Sequence, residues 1–314
     1  MSALRLGPVA ALWCSTLAFA AALAWNTTVV DAQPTGSAAA REPAGQPAGD
    51  YVGEQTCVSC HTEQRVAGAH ARRQDSRAPA AAQGCETCHG PGRAHAESGD
   101  PARIRAYTTL AARDASATCT SCHNRGTHAL WSGSMHDARS VSCVSCHSVH
   151  NPKSEGGQLR KASQGEICAQ CHKPQALKVQ RSSHMPVREG KMECTSCHNP
   201  HGSTNVKMLK VGNWVNESCG SCHAEKRGPF LWEHAAGRES CISCHDPHGS
   251  SNDRMLVAKL PMLCQRCHIG TRHPSTIYDN SLRQTSNRLY GRSCVNCHQN
   301  IHGSNHPAGA TLVR

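Results

Sequence analysis

One short pattern, Cys-x-x-Cys-His, recurs ten times along this 314-residue chain and contains all but one of its 21 cysteines. Disulfides in an oxidising compartment need no histidine after the second cysteine, and zinc knuckles need none either. The histidine that follows every cysteine pair therefore argues against disulfides and zinc sites as the role of these cysteines. The cysteine pairs are Cys57 and Cys60, Cys85 and Cys88, Cys119 and Cys122, Cys143 and Cys146, Cys168 and Cys171, Cys194 and Cys197, Cys219 and Cys222, Cys241 and Cys244, Cys264 and Cys267, and Cys294 and Cys297.

The spacing of each motif is that of covalent haem c attachment. Positions i, i+3 and i+4 share one face of a helical turn, so two thiols there reach the two vinyl groups of one porphyrin. The histidine that follows then lies beneath the iron as its proximal ligand. We therefore predict ten covalently bound c-type haems. Their proximal iron ligands are His61, His89, His123, His147, His172, His198, His223, His245, His268 and His298.

The histidines outside the motifs repeat as regularly as the motifs do. One follows each odd-numbered motif before the next motif begins, and another closely follows each even-numbered motif. The domain at 51–314 is thus predicted to consist of five tandem two-haem units, at 57–118, 119–167, 168–218, 219–263 and 264–314. The predicted distal iron ligands are His70, His95, His136, His150, His184, His201, His234, His248, His273 and His302.

Two histidines, His128 and His306, are left over from this count. His128 shares an interval with His136 and is interpreted as a surface or packing residue. His306 competes with His302 for one iron, and the sequence leaves that choice open.

The segments with a histidine three residues after the proximal one carry a further inference. Three residues are too few for the chain to reach the opposite face of the same haem. We therefore expect His150, His201 and His248 to bind a different haem from the one that their own motif holds. Shared ligands of this kind predict an extended chain of closely spaced haems.

The composition supports haem as the core of the fold. Only 38% of residues are hydrophobic and 4% aromatic, which is little for a protein-only core in a chain of this length. We expect a multihaem cytochrome c fold, mostly loops with short α-helices and little or no β-sheet. The formal charge of +11 would ordinarily suggest a nucleic-acid partner, but haem propionates offset it and no nucleic-acid motif is present. No nucleic-acid partner is expected.

The N-terminus has the pattern of an export signal. Arg5 precedes an apolar stretch from Val9 to Trp25, and Val30 and Ala32 fit the small-residue rule for cleavage. We predict a signal peptide at 1–32 and a flexible leader at 33–50, with an uncleaved anchor as the alternative. The mature protein is then expected in the periplasm.

The ten motifs, the Cys-His-x-Pro-His-Gly segments, the stretch from Cys222 to His234 and the tail from His302 to Pro307 resemble the MtrA/DmsE family of periplasmic decahaem cytochromes. The resemblance covers the chain from about Tyr51 to Arg314. It implies electron conduction through an outer-membrane β-barrel porin. The implied partners are that porin, an outer-surface multihaem cytochrome, and an inner-membrane or periplasmic cytochrome that donates or accepts electrons.

Two other functions remain open from the sequence. A soluble periplasmic electron shuttle would need no porin. A multihaem reductase would need an iron with an open coordination position, often marked by Lys in place of a motif histidine, and all ten motifs here end in His. We expect an electron-transfer protein that is not an enzyme.

Overall fold

Short helices centred on the cysteine motifs make up most of the regular structure. The computed structural model describes residues 48–268 and 293–313, which fall in one unit, Pro43–Arg314. The α-helices there are α1 (Glu54–Cys60), α2 (Glu86–His89), α3 (Arg93–Ser98), α4 (Ala112–Thr120), α5 (Cys143–Cys146), α6 (Gln164–Ala169), α7 (Lys173–Lys178), α8 (Cys194–Cys197), α9 (Val215–Gly220), α10 (Ala235–Glu239) and α11 (Met262–Gln265).

Single turns of 3-10 helix join these elements. They lie at Ala48–Asp50, Gly68–Ala71, Pro79–Ala81, Pro101–Arg103, Gly126–His128, Asp137–Arg139, Val206–Met208, Ala224–Lys226, Cys241–Ser243, Asp253–Met255, Cys294–Asn296 and Gly309–Thr311. Within the described ranges, extended pairing is limited to isolated bridges, such as His198 with Leu209 and His245 with Leu256. The expected fold class, short helices and loops without a sheet, is confirmed.

The protein core is very small. Across the described residues, the buried apolar side chains are Ala78, Ala115, Trp131, Ile167, Leu209 and Leu312. None of the described helices is long and apolar enough to cross a membrane.

A buried carboxylate organises the first two motifs. Glu86 in α2 accepts hydrogen bonds from the backbone N–H groups of Val52 at 3.1 Å, Gly53 at 2.9 Å and Gly92 at 2.7 Å. These bonds satisfy a buried charge and join the segment before α1 to the segment before α3. No pattern in the sequence had pointed to this residue.

Candidate haem sites

Each motif forms one closed helical turn. In all ten, the backbone N–H of the motif histidine donates to the carbonyl of the first cysteine, at 2.9 to 3.0 Å. The turn places both cysteines and the histidine on one side of the backbone, as the spacing predicts. In α1, α5 and α8 the helix ends at the second cysteine, and the histidine is the first residue beyond it.

The motifs surround one continuous cavity of about 4850 Å³. All three motif residues of the first seven motifs lie on its wall, and His245 of the eighth lies there too. Shared among these eight motifs, the volume is about 600 Å³ for each, which is within the usual size of a ligand pocket. The cavity therefore has room for one bulky prosthetic group at every motif on its wall.

Histidines from outside the motifs face the motif histidines, and in six pairs both rings line this cavity. An iron with an imidazole nitrogen about 2 Å away on each side places the two ring centres roughly 6 Å apart. Eight motif histidines have such a partner at 5.8 to 6.3 Å. The pairs are His61–His95, His89–His150, His123–His70, His147–His201, His172–His136, His198–His248, His245–His302 and His268–His234.

Most of these pairs join neighbouring units. His150, which follows the fourth motif, lies beside His89 of the second motif, with ring centres 6.0 Å apart. In the opposite direction, His70 follows the first motif and lies 5.8 Å from His123 of the third. The same two-way exchange repeats along the chain, and the second and fourth units each supply rings to the unit before and the unit after.

The segments with a histidine three residues after the proximal one behave accordingly. The ring of His248 lies 6.3 Å from that of His198, at an interplanar angle of 9°. His302 occupies the place opposite His245, at 6.2 Å. His306 is exposed, and its Nδ1 accepts the backbone N–H of Ala308 at 3.1 Å. The structure thus brings His302, and not His306, to a motif histidine.

Two predicted distal ligands are not placed in a pair. His184 gives its Nδ1–H to the carbonyl of Arg181, and its Nε2 contacts Glu189 at 3.0 Å. His273 lies outside the described residues. Their role as distal iron ligands stays a prediction.

The leftover His128 packs between two of the pairs. Its ring centre is 5.5 Å from that of His123 and 4.2 Å from that of His201. The shorter distance leaves no room for an iron between His128 and His201. The interpretation of His128 as a packing residue agrees with this contact.

Consecutive motifs contact each other through alternating cysteines. Within each predicted unit the two first cysteines are electrostatic neighbours, as with Cys57 and Cys85. The same holds for Cys119–Cys143, Cys168–Cys194, Cys219–Cys241 and Cys264–Cys294. Between units the second cysteines are neighbours. Burial raises the pKa of Cys88, Cys146, Cys197 and Cys244, and the thiols of Cys122, Cys171, Cys222 and Cys267 in turn raise it further.

Comparison with known proteins gives this arrangement a family. The multihaem cytochrome MtrA of Shewanella baltica is 42% identical over 274 residues, which cover 83% of this chain and 81% of that protein. The chain belongs to the MtrA family of multihaem cytochromes. It is therefore an electron-transfer protein whose motifs bind c-type haem covalently, and the expected family is confirmed.

Other similarities of this MtrA-family chain are more local. A doubled CXXCH motif model matches residues 136–177, 184–228 and 234–273, and a model of cytochrome c554 and c-prime matches residues 21–90. The cytochrome c-type protein NrfB of Escherichia coli is 25% identical over 136 residues, 38% of this chain and 72% of that protein. An undecahaem cytochrome from the S-layer of Carboxydothermus ferrireducens is 24% identical and covers 41% of this chain and 33% of its own, with a TM-score of 0.28.

Unpartnered donors on the cavity wall fit a haem c in this MtrA-family chain. Across the described residues, only three buried side-chain polar atoms lack a hydrogen-bond partner, and two of them, Nδ1 of His70 and Nε1 of Trp131, belong to residues that line the cavity. An apolar porphyrin with carboxylate substituents suits a space walled by cysteines, imidazoles and such donors. No group of three or more metal-ligating side chains is found in the described part of the chain, so a zinc site has no support there.

Burial keeps several of the paired imidazoles neutral. It lowers the pKa of His70, His89, His248 and His302, and it lowers that of His201 to about 4. A neutral imidazole has the free nitrogen lone pair that a metal requires. At pH 7 these side chains are thus in the neutral state that can bind iron.

A glycine after a distal histidine gives the first testable prediction. Gly249 follows His248 with φ +129°, and an added Cβ would lie against the carbonyl oxygen of Lys178. We expect Gly249→Ala to lower the free energy of unfolding of the haem-loaded protein by more than about 1 kcal/mol, measured by denaturant titration. Gly237→Ala is the control, because Gly237 lies inside α10 with nothing within 4 Å of an added Cβ. Equal effects of the two substitutions would contradict the prediction.

Proposed function

We propose that this chain is a periplasmic decahaem cytochrome that conducts electrons across the outer membrane while held inside a β-barrel porin. The observation that supports it best is the series of eight imidazole pairs, each with ring centres near 6 Å, six of which line one continuous cavity with both rings. A series of closely spaced irons, each with two histidine ligands, is suited to passing electrons from one centre to the next.

Three sets of side chains would hold the haems. In this proposal the ten cysteine pairs form the thioethers, the ten motif histidines bind one face of each iron, and the ten predicted distal histidines bind the other. Bound haem supplies a one-electron couple between ferric and ferrous iron. The protein fixes the order and spacing of these couples. Because both axial positions are filled, substrates do not reach the metal, and the chain is not an enzyme.

The alternating cysteine contacts support a path without a break. First cysteines lie near each other within a predicted unit, and second cysteines lie near each other between units, so neighbouring motifs are close enough for their thiols to interact electrostatically. We propose on this basis that the five units form one conductor rather than five separate two-haem modules.

The location and partners rest on the sequence. The pattern at 1–32 supports export to the periplasm. The resemblance to the MtrA/DmsE family supports a porin around the chain and a multihaem cytochrome at the outer surface. An inner-membrane or periplasmic cytochrome would exchange electrons at the other end.

Reconstitution into liposomes tests this function. The purified chain and its candidate porin would be inserted together into vesicles that enclose a redox dye. We expect the enclosed dye to exchange electrons with an external iron species, and we expect vesicles with the porin alone or the cytochrome alone not to do so. Failure of electrons to cross in either direction would exclude the conduit.

A variant interrupted in the middle distinguishes a conduit from a shuttle. Cys168→Ala with Cys171→Ala removes the attachment site of one central haem. Electron transfer falls steeply with the distance between centres, so transport through the vesicle wall should be lost. In solution, the variant should take up one electron fewer per molecule than the parent chain, because one haem is missing. Undiminished transport across the vesicle would favour a shuttle.

A further inference from the structure

The motif histidines fall into two classes by the hydrogen bond at Nδ1. In every even-numbered motif, Nδ1–H donates to a backbone carbonyl at 2.5 to 2.8 Å. The donor and acceptor residues are His89 and Arg105, His147 and Gly157, His198 and Lys207, His245 and Arg254, and His298 and Thr311. In the described odd-numbered motifs no such bond to a carbonyl is present.

The backbone explains the difference. His147 and His198 are extended, with ψ of 152° and 144°, and the chain after them turns back to pair with their backbone. His172 and His223 have ψ of 50° and 51° and lead into a new helical turn, so no returning strand of chain reaches their rings.

The distal rings compensate for this in several odd-numbered motifs. His95, which faces His61, donates Nδ1–H to the carbonyl of Asp100 at 2.9 Å. His136, which faces His172, donates to the carbonyl of Pro200 at 2.8 Å. Each of these pairs therefore has one ring fixed to a carbonyl.

The pair at the third motif is different. Neither His123 nor His70 donates to a carbonyl, and Nδ1 of His70 is buried without a hydrogen-bond partner. Burial lowers the pKa of His70, and the neighbouring side chain of Gln158 opposes that shift. The amide N–H of Gln158 donates to the carbonyl of Ala67 at 2.7 Å, and Nδ1 of His70 has no hydrogen-bond partner. The pair His234–His268 also lacks a carbonyl partner in the described residues. His268 is exposed and His234 is half-buried, so water can accept a hydrogen bond from their ring N–H groups.

The ring planes at the third motif are also crossed. The interplanar angle between His70 and His123 is 80°, the largest among the eight pairs, and that between His136 and His172 is 65°, whereas five other pairs lie between 9° and 31°. Crossed imidazole planes leave two iron d orbitals nearly equal in energy. Ferric iron in such a site gives an EPR signal with one unusually large g value, which distinguishes it from sites with parallel rings.

On the basis of the histidine ligation proposed above, we propose that the iron held by His70 and His123 has the highest reduction potential among the eight described pairs. An imidazole that donates Nδ1–H to a carbonyl is a stronger electron donor and stabilises ferric iron. A buried ring without that bond stabilises ferric iron less. The first electron from a reductant would therefore reduce this ferric iron to ferrous iron, and the other irons would be reduced later. In a singly reduced molecule the electron would reside in the second predicted unit, 119–167.

An EPR-monitored titration of the haem-loaded chain with dithionite tests this order. We expect the signal with the largest g value to disappear at the highest potential. His70→Met should remove that signal because the most nearly perpendicular pair is gone, and it should leave the signal of the His136–His172 pair. His95→Met is the matched control and should remove a signal of the parallel class. The proposal would be overturned if the signals of the parallel-ring sites disappeared first in the titration. It would also be overturned if the signal with the largest g value persisted in His70→Met.

A second variant supplies the missing acceptor. Gln158→Glu places a carboxylate beside His70, so the highest-potential step should move to lower potential. Gln83→Glu adds the same charge at an exposed position that does not line the cavity, and it should leave that step in place. An unchanged step in Gln158→Glu would reject the hydrogen-bond argument. A spectrum that is not fully low-spin would instead reject the two-histidine ligation of the proposed function.

Discussion

Chain produced without covalent haem attachment is expected to remain unfolded after export. The described part of the protein has only six buried apolar side chains, and two of them are alanines. Burying a large apolar side chain contributes about 1.5–3 kcal/mol. Ordering the backbone costs about 1–2 kcal/mol for every residue, and the described ranges are long. The porphyrins must therefore supply the missing contacts.

Circular dichroism and limited proteolysis of chain from cells that lack the attachment machinery would measure this. We expect loss of the helical signal and cleavage throughout 51–314. The control is the haem-loaded chain purified in the same way. A protease-resistant, cooperatively unfolding apo chain would show that the polypeptide folds by itself.

Removal of one distal ring is expected to create one open iron. In His248→Ala the ring that faces His198 is absent. Ferrous iron with an empty axial position binds carbon monoxide, whereas iron with two histidines does not. We expect the reduced variant to bind about one carbon monoxide per molecule and to show a high-spin component in its absorption spectrum.

His306→Ala is the matched control for this result. Its histidine is exposed and has no partner ring in the described structure, so the low-spin spectrum should be unchanged. Carbon monoxide binding by the His306 variant, or its absence in the His248 variant, would contradict the ligand assignment.

The sequence predicts the local structure well because each motif specifies its own turn. Five residues with fixed spacing close one hydrogen bond, and this bond forms in all ten motifs. The absence of strands in the described residues follows from the many Gly and Pro positions and from the thin apolar pattern. The family also follows from these motifs.

The partner of each motif histidine could not be predicted in the same way. His89 and His150 are far apart in sequence, and only the folded backbone brings their rings to 6.0 Å. The Nδ1 acceptors are backbone carbonyls, which carry no residue-type signal. The count alone separates His128 from the predicted distal set, but its contact with His201 depends on packing that no spacing describes.

The exchange of rings between units has a consequence for maturation. His89 belongs to the second motif, yet the ring that faces it is His150, after the fourth. If haem is attached as the chain leaves the cytoplasm from its N-terminus, the haem at His89 would be attached before His150 is exported. The iron held by His89 would then lack its second histidine, and could bind other ligands, until His150 is exported.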